Sequence, residues 1–154
     1  MGLDIAFEKS LTSLPLVTYL ADDAILDAGS KSGKLLILKR GAVGVFQEAV
    51  EIARVAEPGA VFGELSALLN EPHSADVRAL EDSEFYVADA TLPAKDPAVL
   101  LQIARILARR IVEANKNLVE LKHQLQAGRS PSAVSNLLQK IQEILSVGGA
   151  SLET

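Results

Sequence analysis

The chain has 154 residues, of which 49% are hydrophobic, with a formal net charge of -5 at pH 7 and no cysteine. This length suits one domain with a single core, and no apolar run approaches the roughly 20 residues of a membrane span. The missing cysteines exclude disulfides and zinc-thiolate sites, and the acidic balance opposes generic nucleic-acid binding. We expect a soluble protein without a membrane segment, and the N-terminus lacks a secretory signal, which favours the cytoplasm.

The N-terminal half of the chain is predicted to be mainly β. A short amphipathic helix is expected over residues 3–14, where Pro15 ends it. Short β-type runs separated by glycine and proline follow, and they predict an antiparallel sandwich or barrel rather than βαβ units. The predicted strands are residues 16–20, 24–26, 34–39, 42–46, 49–55, 76–80 and 84–88. One short helical segment, residues 63–70, interrupts them and marks a candidate site.

Residues 98–127 are predicted to form one long helix. Its apolar positions recur at alternating spacings of four and three residues and are called the heptad seam below: Leu100, Ala104, Leu107, Ile111, Ala114, Leu118, Leu121 and Leu125. Such a seam buries best against an identical or neighbouring helix. We therefore expect a homodimer through residues 100–125, with packing on the next helix of the same chain as the alternative.

Other positions of the long helix are expected to face the barrel or the solvent. Ile103, Ile106 and Val112 make a second apolar stripe that is expected to pack on the barrel. The richest basic cluster is expected to be a solvated helix face: Arg105, Arg109 and Arg110. Ser130 as N-cap and Pro131 at the first helical position predict a further helix over residues 130–147, followed by a flexible tail over 148–154. This last helix is free to pack in cis or across a dimer.

The functional signal lies in residues 58–79, PGAVFGELSALLNEPHSADVRA. Free N–H groups at the start of the short helix can hold an anion, and Gly63 has no side chain to keep it away. Glu64 can accept a hydrogen bond from a ligand hydroxyl, and Ser74 can donate one. A competing motif at residues 29–35, GSKSGKL, has only three residues between its glycines and no Ser or Thr after the second lysine, so it does not fit a nucleotide phosphate loop.

The stretch FGEL with the later PHSADV resembles the phosphate-binding cassette of the cyclic-nucleotide-binding domain family, which reads Phe-Gly-Glu-Leu and then Pro-Arg-Ser-Ala-x-Val. The resemblance covers residues 16–125. It implies an eight-stranded jelly-roll barrel with an N-terminal helix over residues 1–97, and a lid and dimerisation helix over 98–127. It also implies cAMP or cGMP as ligand, contacted by Val61, Phe62, Gly63, Glu64, Leu65, Ser66, His73, Ser74 and Ala75.

The resemblance also assigns roles within this set. Glu64 would bind the ribose 2′-hydroxyl, and Ser74 and Ala75 would approach the cyclic phosphate. The helix would close over the ligand around Leu118 and Leu121. One position departs from the family, because His73 stands where the family has an arginine that pairs with the phosphate. A charge fixed by two hydrogen bonds is thereby replaced by a ring with an ordinary pKa near 6.5.

Two functions follow from this departure. The first is a cyclic-nucleotide sensor that signals through its C-terminal helices to an unidentified effector protein. The second is a ligand-blind dimerisation or docking module of the same fold, in which His73 is an ordinary loop histidine. We expect no enzyme, no metal and no cofactor, since two histidines do not supply a metal-dependent barrel enzyme. Direct DNA binding is not expected, because the segment after the long helix is short and almost without positive charge.

Overall fold

The computed structural model describes residues 4–128 and 130–146. Its helices are α1 (Ile5–Leu11), α2 (Glu64–Leu69), α3 (Leu92–Lys95), α4 (Pro97–Gln126) and α5 (Pro131–Ser146). Its strands are β1 (Leu16–Tyr19), β2 (Ala24–Leu26), β3 (Lys34–Arg40), β4 (Val43–Gln47), β5 (Val50–Val55), β6 (Val61–Phe62), β7 (Asp76–Ala79) and β8 (Ser83–Asp89). The predicted tail, residues 148–154, lies outside the described residues.

The elements agree closely with the sequence pattern. Each of the seven predicted β-runs forms a strand whose ends lie within one residue of the expected bounds. β6 is the strand that the prediction missed, because two residues show no alternation of polarity. α1 is shorter than predicted, since Asp4 caps it and accepts hydrogen bonds from the main-chain N–H groups of Ala6 and Phe7.

The strands form two four-stranded sheets in which neighbouring strands are antiparallel, as predicted. The order is β1-β8-β3-β6 in the first sheet and β2-β7-β4-β5 in the second. Within the described residues the two sheets share no strand. The antiparallel β architecture is therefore confirmed, and a single closed eight-stranded barrel stays a prediction.

β3 explains how the layers are held together. Leu36 and Leu38 belong to the cluster between the two sheets, while Leu35 and Ile37 belong to a second cluster with α1 and α4. Successive side chains of a strand point to opposite faces, so one apolar run fills both clusters. The four side chains are at most 2% exposed, and each contributes about 1.5–3 kcal/mol by leaving water.

α4 packs along the outer face of the first sheet. Asp96 caps it by accepting hydrogen bonds from Ala98 and Val99, and its 30 residues span about 45 Å. Ile103 and Ile106 lie in the cluster under the sheet, as predicted. The same expectation for Val112 is wrong, since its side chain is 52% exposed. Val112 follows Ile103 by nine residues, which is about two and a half helical turns, so it lies on the opposite side of α4.

The heptad seam is divided between buried and exposed positions. Ala114 and Leu121 are buried, whereas the large exposed members are Leu100, Ile111, Leu118 and Leu125. α5 packs against α4 of the same chain and begins as predicted, with the Ser130 hydroxyl accepting from the N–H of Ala133. None of the helices in the described part of the chain is long and apolar enough to cross a membrane.

The hairpin between β4 and β5 carries a local strain. Gln47 pairs with Val50, so Glu48 and Ala49 form a two-residue turn, and both have positive φ, 51° and 65°. Such a turn favours Asn-Gly or Gly-Gly, because a Cβ is unfavourable in the left-handed region. The chain therefore tolerates an unfavourable backbone conformation at two adjacent non-glycine residues.

Replacing Ala49→Gly should relieve this strain and stabilise the protein by about 0.5–1 kcal/mol. Equilibrium urea unfolding followed by circular dichroism measures the change. Ala28→Gly is the matched control, since Ala28 is also exposed but has no positive φ, and that variant should be neutral or slightly destabilised. Equal effects of the two substitutions would contradict the strain argument.

Candidate functional site

A cleft lies where α2 meets the sheet of β2, β4 and β7. Its empty space is about 410 Å³, part of which is open solvent. It is lined by Leu26, Val45, Phe62, Gly63, Glu64, Leu65, Ser66, His73, Ser74, Ala75 and Val77. An apolar floor with a few polar groups at its edge is the arrangement typical of small-ligand sites.

Gly63 lets two parts of the chain approach each other at the edge of this cleft. It precedes α2 with φ of 85°, and a Cβ placed on it would lie 2.7 Å from the main-chain oxygen of Lys34. The imidazole Cε1 of His73 would lie 3.6 Å from the same point. Both the backbone conformation and the close contact require glycine at this position.

His73 is held by the loop that precedes β3. Its main-chain N–H donates to the oxygen of Ser30, and its own oxygen accepts from Gly29. The imidazole Nε2 lies 3.0 Å from the Ser32 hydroxyl and accepts from the Ser32 main-chain N–H at 3.4 Å. Nε2 therefore carries a lone pair, which makes the ring neutral in this arrangement.

The pKa of His73 agrees with a neutral ring. Burial lowers the pKa below its usual value near 6.5, and the negative charge of Asp27 opposes this effect only in part. Among the described residues that line the cleft, none is a lysine or an arginine. The cleft wall thus presents hydroxyl groups and a neutral imidazole where a positive charge would favour an anion.

Glu64 is the charged side chain of the cleft wall, and it is paired. Its Oε1 accepts from Arg110 of α4 at 3.1 Å, and both side chains are almost completely buried, at 6% and 7% exposure. Burial raises the pKa of the Glu64 carboxyl, and the Arg110 charge acts against that rise. The carboxylate is therefore held in place from behind the cleft.

Arg110 corrects the expectation of a solvated basic cluster. Arg105 and Arg109 are exposed, but Arg110 is buried and also donates from Nε to the main-chain oxygen of Ile144 at 2.9 Å. Its position could have been found, because Arg110 lies four residues after Ile106 and seven after Ile103. Helical periodicity places it on the same buried face.

The structure brings most of the predicted ligand-binding residues together. Of these, eight line the cleft: Phe62, Gly63, Glu64, Leu65, Ser66, His73, Ser74 and Ala75. Val61 does not, because alternation along β6 directs it into the cluster under the helices while Phe62 faces the cleft. Neither predicted lid residue lines the cleft: Leu118 is 48% exposed, and Leu121 is buried on the α5 side of α4.

Three further lining residues were missed, namely Leu26, Val45 and Val77. They lie on strands that pair in the second sheet, and each faces its interior cluster. Only Val77 stands between two polar residues, Asp76 and Arg78, and such alternation signals an inward side chain but not a cleft. Within residues 4–128 and 130–146, no group of three or more His, Asp or Glu side chains is placed to hold a metal ion.

Comparison with known proteins gives one family. The family model of the cyclic nucleotide-binding domain matches residues 16–92, half of the chain, and no curated protein matches. The catabolite activator protein of Thermus thermophilus is 24% identical, with a TM-score of 0.63, covering 92% of this chain and 85% of its own. A protein-kinase-A regulatory domain bound to Sp-2Cl-cAMPS is 22% identical, with a TM-score of 0.57 and coverages of 86% and 84%.

A further structural neighbour is the regulatory subunit of a cAMP-independent protein kinase A from Trypanosoma brucei. It is 24% identical with a TM-score of 0.51, and the match covers 57% of this chain. This chain spans about a third of that protein's length, 32%. At these identities, the solved structures establish a shared fold and nothing finer.

Substituting Gly63→Ala tests the close approach of α2 to β3. We expect a loss of about 3 kcal/mol or more in the free energy of unfolding, because the methyl group meets the Lys34 oxygen and φ is positive. Gly29→Ala is the matched control, with nearly the same φ of 83° and nothing within 4 Å of its added Cβ. It should lose only about 1–2 kcal/mol in denaturant unfolding. Equal losses of unfolding free energy in the two variants would show that the contact with the Lys34 oxygen does not affect stability.

Proposed function

The chain belongs to the cyclic nucleotide-binding domain family, and from that premise we propose that it is a regulatory, non-catalytic module that binds cAMP or cGMP in the cleft. One observation carries the proposal: residues from two separated segments, 62–66 and 73–75, line the same cleft. We propose that Glu64 accepts a hydrogen bond from the ribose 2′-hydroxyl and that Ser74 and Ala75 approach the phosphate. His73 takes the place of the arginine of the family pattern.

The output is proposed to be a change in the C-terminal helices. Glu64 of the cleft is bonded to Arg110 of α4, so a ligand that contacts the carboxylate acts on a side chain of that helix. The exposed members of the heptad seam, such as Leu118 and Leu125, are the proposed contact with a second copy, and Leu118 and Leu121 the proposed lid. An effector protein would read the resulting arrangement of helices in the cytoplasm.

A ligand-blind module of the same fold is the second candidate. It is favoured by the absence of lysine and arginine among the described lining residues and by the neutral His73 held on Ser32. Losing a charged hydrogen bond to a phosphate costs about 1.5–3 kcal/mol, or roughly 10- to 150-fold in affinity.

Restoring the arginine separates the two candidates. His73→Arg should tighten the binding of cAMP or cGMP by about 10- to 150-fold, because it adds the charged hydrogen bonds that the cleft wall lacks. Calorimetric titration after removal of co-purified nucleotide measures the affinity. His123→Arg is the matched control, since His123 is exposed on α4 outside the cleft, and it should bind as the natural protein does.

The outcomes of this titration are distinct. Saturable binding by the natural protein supports the sensor. Binding by the variant alone indicates a cleft that accepts the ligand but is silenced at His73. If neither protein binds either nucleotide, the sensor proposal is wrong and the ligand-blind module remains.

Nucleotide affinity should depend on pH through His73. Burial lowers the pKa of the free protein's imidazole, whereas a phosphate beside it would raise that pKa. The bound state then takes up a proton, so affinity rises as pH falls from about 8 to 5.5 and levels off below the pKa of the free protein. Titrations across this range measure the slope.

The control for the pH experiment keeps the other titratable groups around the ring. His73→Gln retains Asp27 and Glu64, so the difference between the two profiles belongs to the imidazole. The Gln variant should show the weaker pH dependence. If the natural protein gives a flat profile, His73 does not pair with the phosphate as an imidazolium.

A further inference from the structure

Arg110 connects three distant parts of the chain through one buried side chain. Its guanidinium donates to Glu64 beside the cleft at 3.1 Å and to the main-chain oxygens of Ile144 and Leu145 in the last turn of α5. The last carbonyls of a helix have no partner within the helix and carry a partial negative charge. Arg110 therefore stabilises the end of α5 and the Glu64 carboxylate at the same time.

α5 runs back along the second half of α4. Its 16 residues span about 24 Å, the same length as the part of α4 from Arg110 to the end at Gln126. Arg110 meets the C-terminal end of α5, and the short connection after Gln126 meets its start. At its outer side α5 also reaches the β4–β5 hairpin, where Gln142 donates to Gln47 at 3.3 Å.

This position covers part of the heptad seam. Ala114, Asn117 and Leu121 are 5–9% exposed on the stretch of α4 that faces α5, and Ile141 and Ile144 of α5 are buried as well. The remaining seam residues on the same stretch, Ile111, Leu118 and Leu125, are 48–59% exposed. Two of the five seam residues on this stretch are therefore covered from within the chain, and three are left on the surface.

A second copy of the chain is the occupant that fits this repeat. Spacings of four and three residues over more than three heptads match the geometry of two identical helices packed side by side. In its docked position α5 covers Ala114 and Leu121, so a second copy cannot contact these two residues. The same apolar face cannot serve both contacts.

We propose that α5 is a built-in competitor for the α4 seam and that Arg110 locks it in place. The docked chain is the weakly associating form, and release of α5 completes the seam for a second copy. Arg110 is itself held by Glu64, so the contact that fixes the end of α5 is anchored at the wall of the cleft. This inference concerns self-association and does not depend on nucleotide binding.

Two variants release α5 by different means. Ile144→Glu places a charge in the buried contact made by α5, where the Ile144 side chain is 4% exposed. Arg110→Lys keeps the positive charge beside Glu64. A lysine ammonium lacks the planar fork of arginine, so it cannot donate to all three acceptors at once. Sedimentation equilibrium of the full chain should show self-association about 10-fold or more stronger in both variants.

A matched control uses another arginine of the same helix. Arg105 makes an exposed ion pair with Asp4 at 3.3 Å, with side-chain exposures of 48% and 42%. Arg105→Lys should leave self-association within about twofold of the natural protein. Adding Leu118→Glu to the Ile144→Glu variant should abolish the gain, because Leu118 is an exposed seam position.

Distances within the chain show whether α5 has moved. The chain has no cysteine, so spin labels can be attached at Asn136→Cys on α5 and Glu81→Cys beside β8, both exposed positions. The natural protein should give one narrow distance distribution, and the releasing variants a broad one. Circular dichroism checks that the variants are folded. If Arg110→Lys is unfolded, Ile144→Glu decides the question.

The proposal is overturned if Ile144→Glu broadens the distance distribution without strengthening self-association. It is also overturned if the natural protein is already a tight dimer with α5 docked, or if Leu118→Glu leaves the strengthened association intact. A narrow distribution in folded Arg110→Lys would remove the role of Arg110 as the lock.

Discussion

A buried guanidinium needs acceptors for its N–H groups, and in this chain that need links the cleft to both C-terminal helices. Arg110 satisfies it with Glu64 and with two main-chain oxygens at the end of α5. Removing either charge alone would leave the other buried without compensation, which is costly inside a protein. The carboxylate of the cleft, the face of α4 and the docking of α5 are consequently constrained together.

The cleft depends on a second constraint, the close approach of main chain to main chain around Gly63. The Lys34 oxygen leaves no room for a side chain there, and the same region receives the His73 imidazole. The main chain of His73 is bonded to Ser30, and Nε2 of its ring is bonded to Ser32, so both the backbone and the ring are held by the loop before β3. An anion that binds at Nε2 must displace Ser32 from that nitrogen.

Family membership and site chemistry therefore give different information about this chain. The chain belongs to the cyclic nucleotide-binding domain family, whereas position 73 holds a histidine where the family pattern has an arginine. The described lining residues supply one carboxylate, which is already neutralised by Arg110, together with uncharged polar groups. In the proposed sensor, position 73 governs ligand affinity and the Glu64–Arg110 pair governs the helix output, so the two properties can change separately.

The sequence by itself determined the order and type of the elements, since runs of period two, glycine and proline punctuation and the heptad repeat are local features. It also identified the segment that forms the cleft. Only the tertiary structure decided that Arg110 pairs with Glu64 and that α5 packs on its own chain. These outcomes depend on which distant surfaces meet, and no local pattern records the 46 residues that separate Glu64 from Arg110.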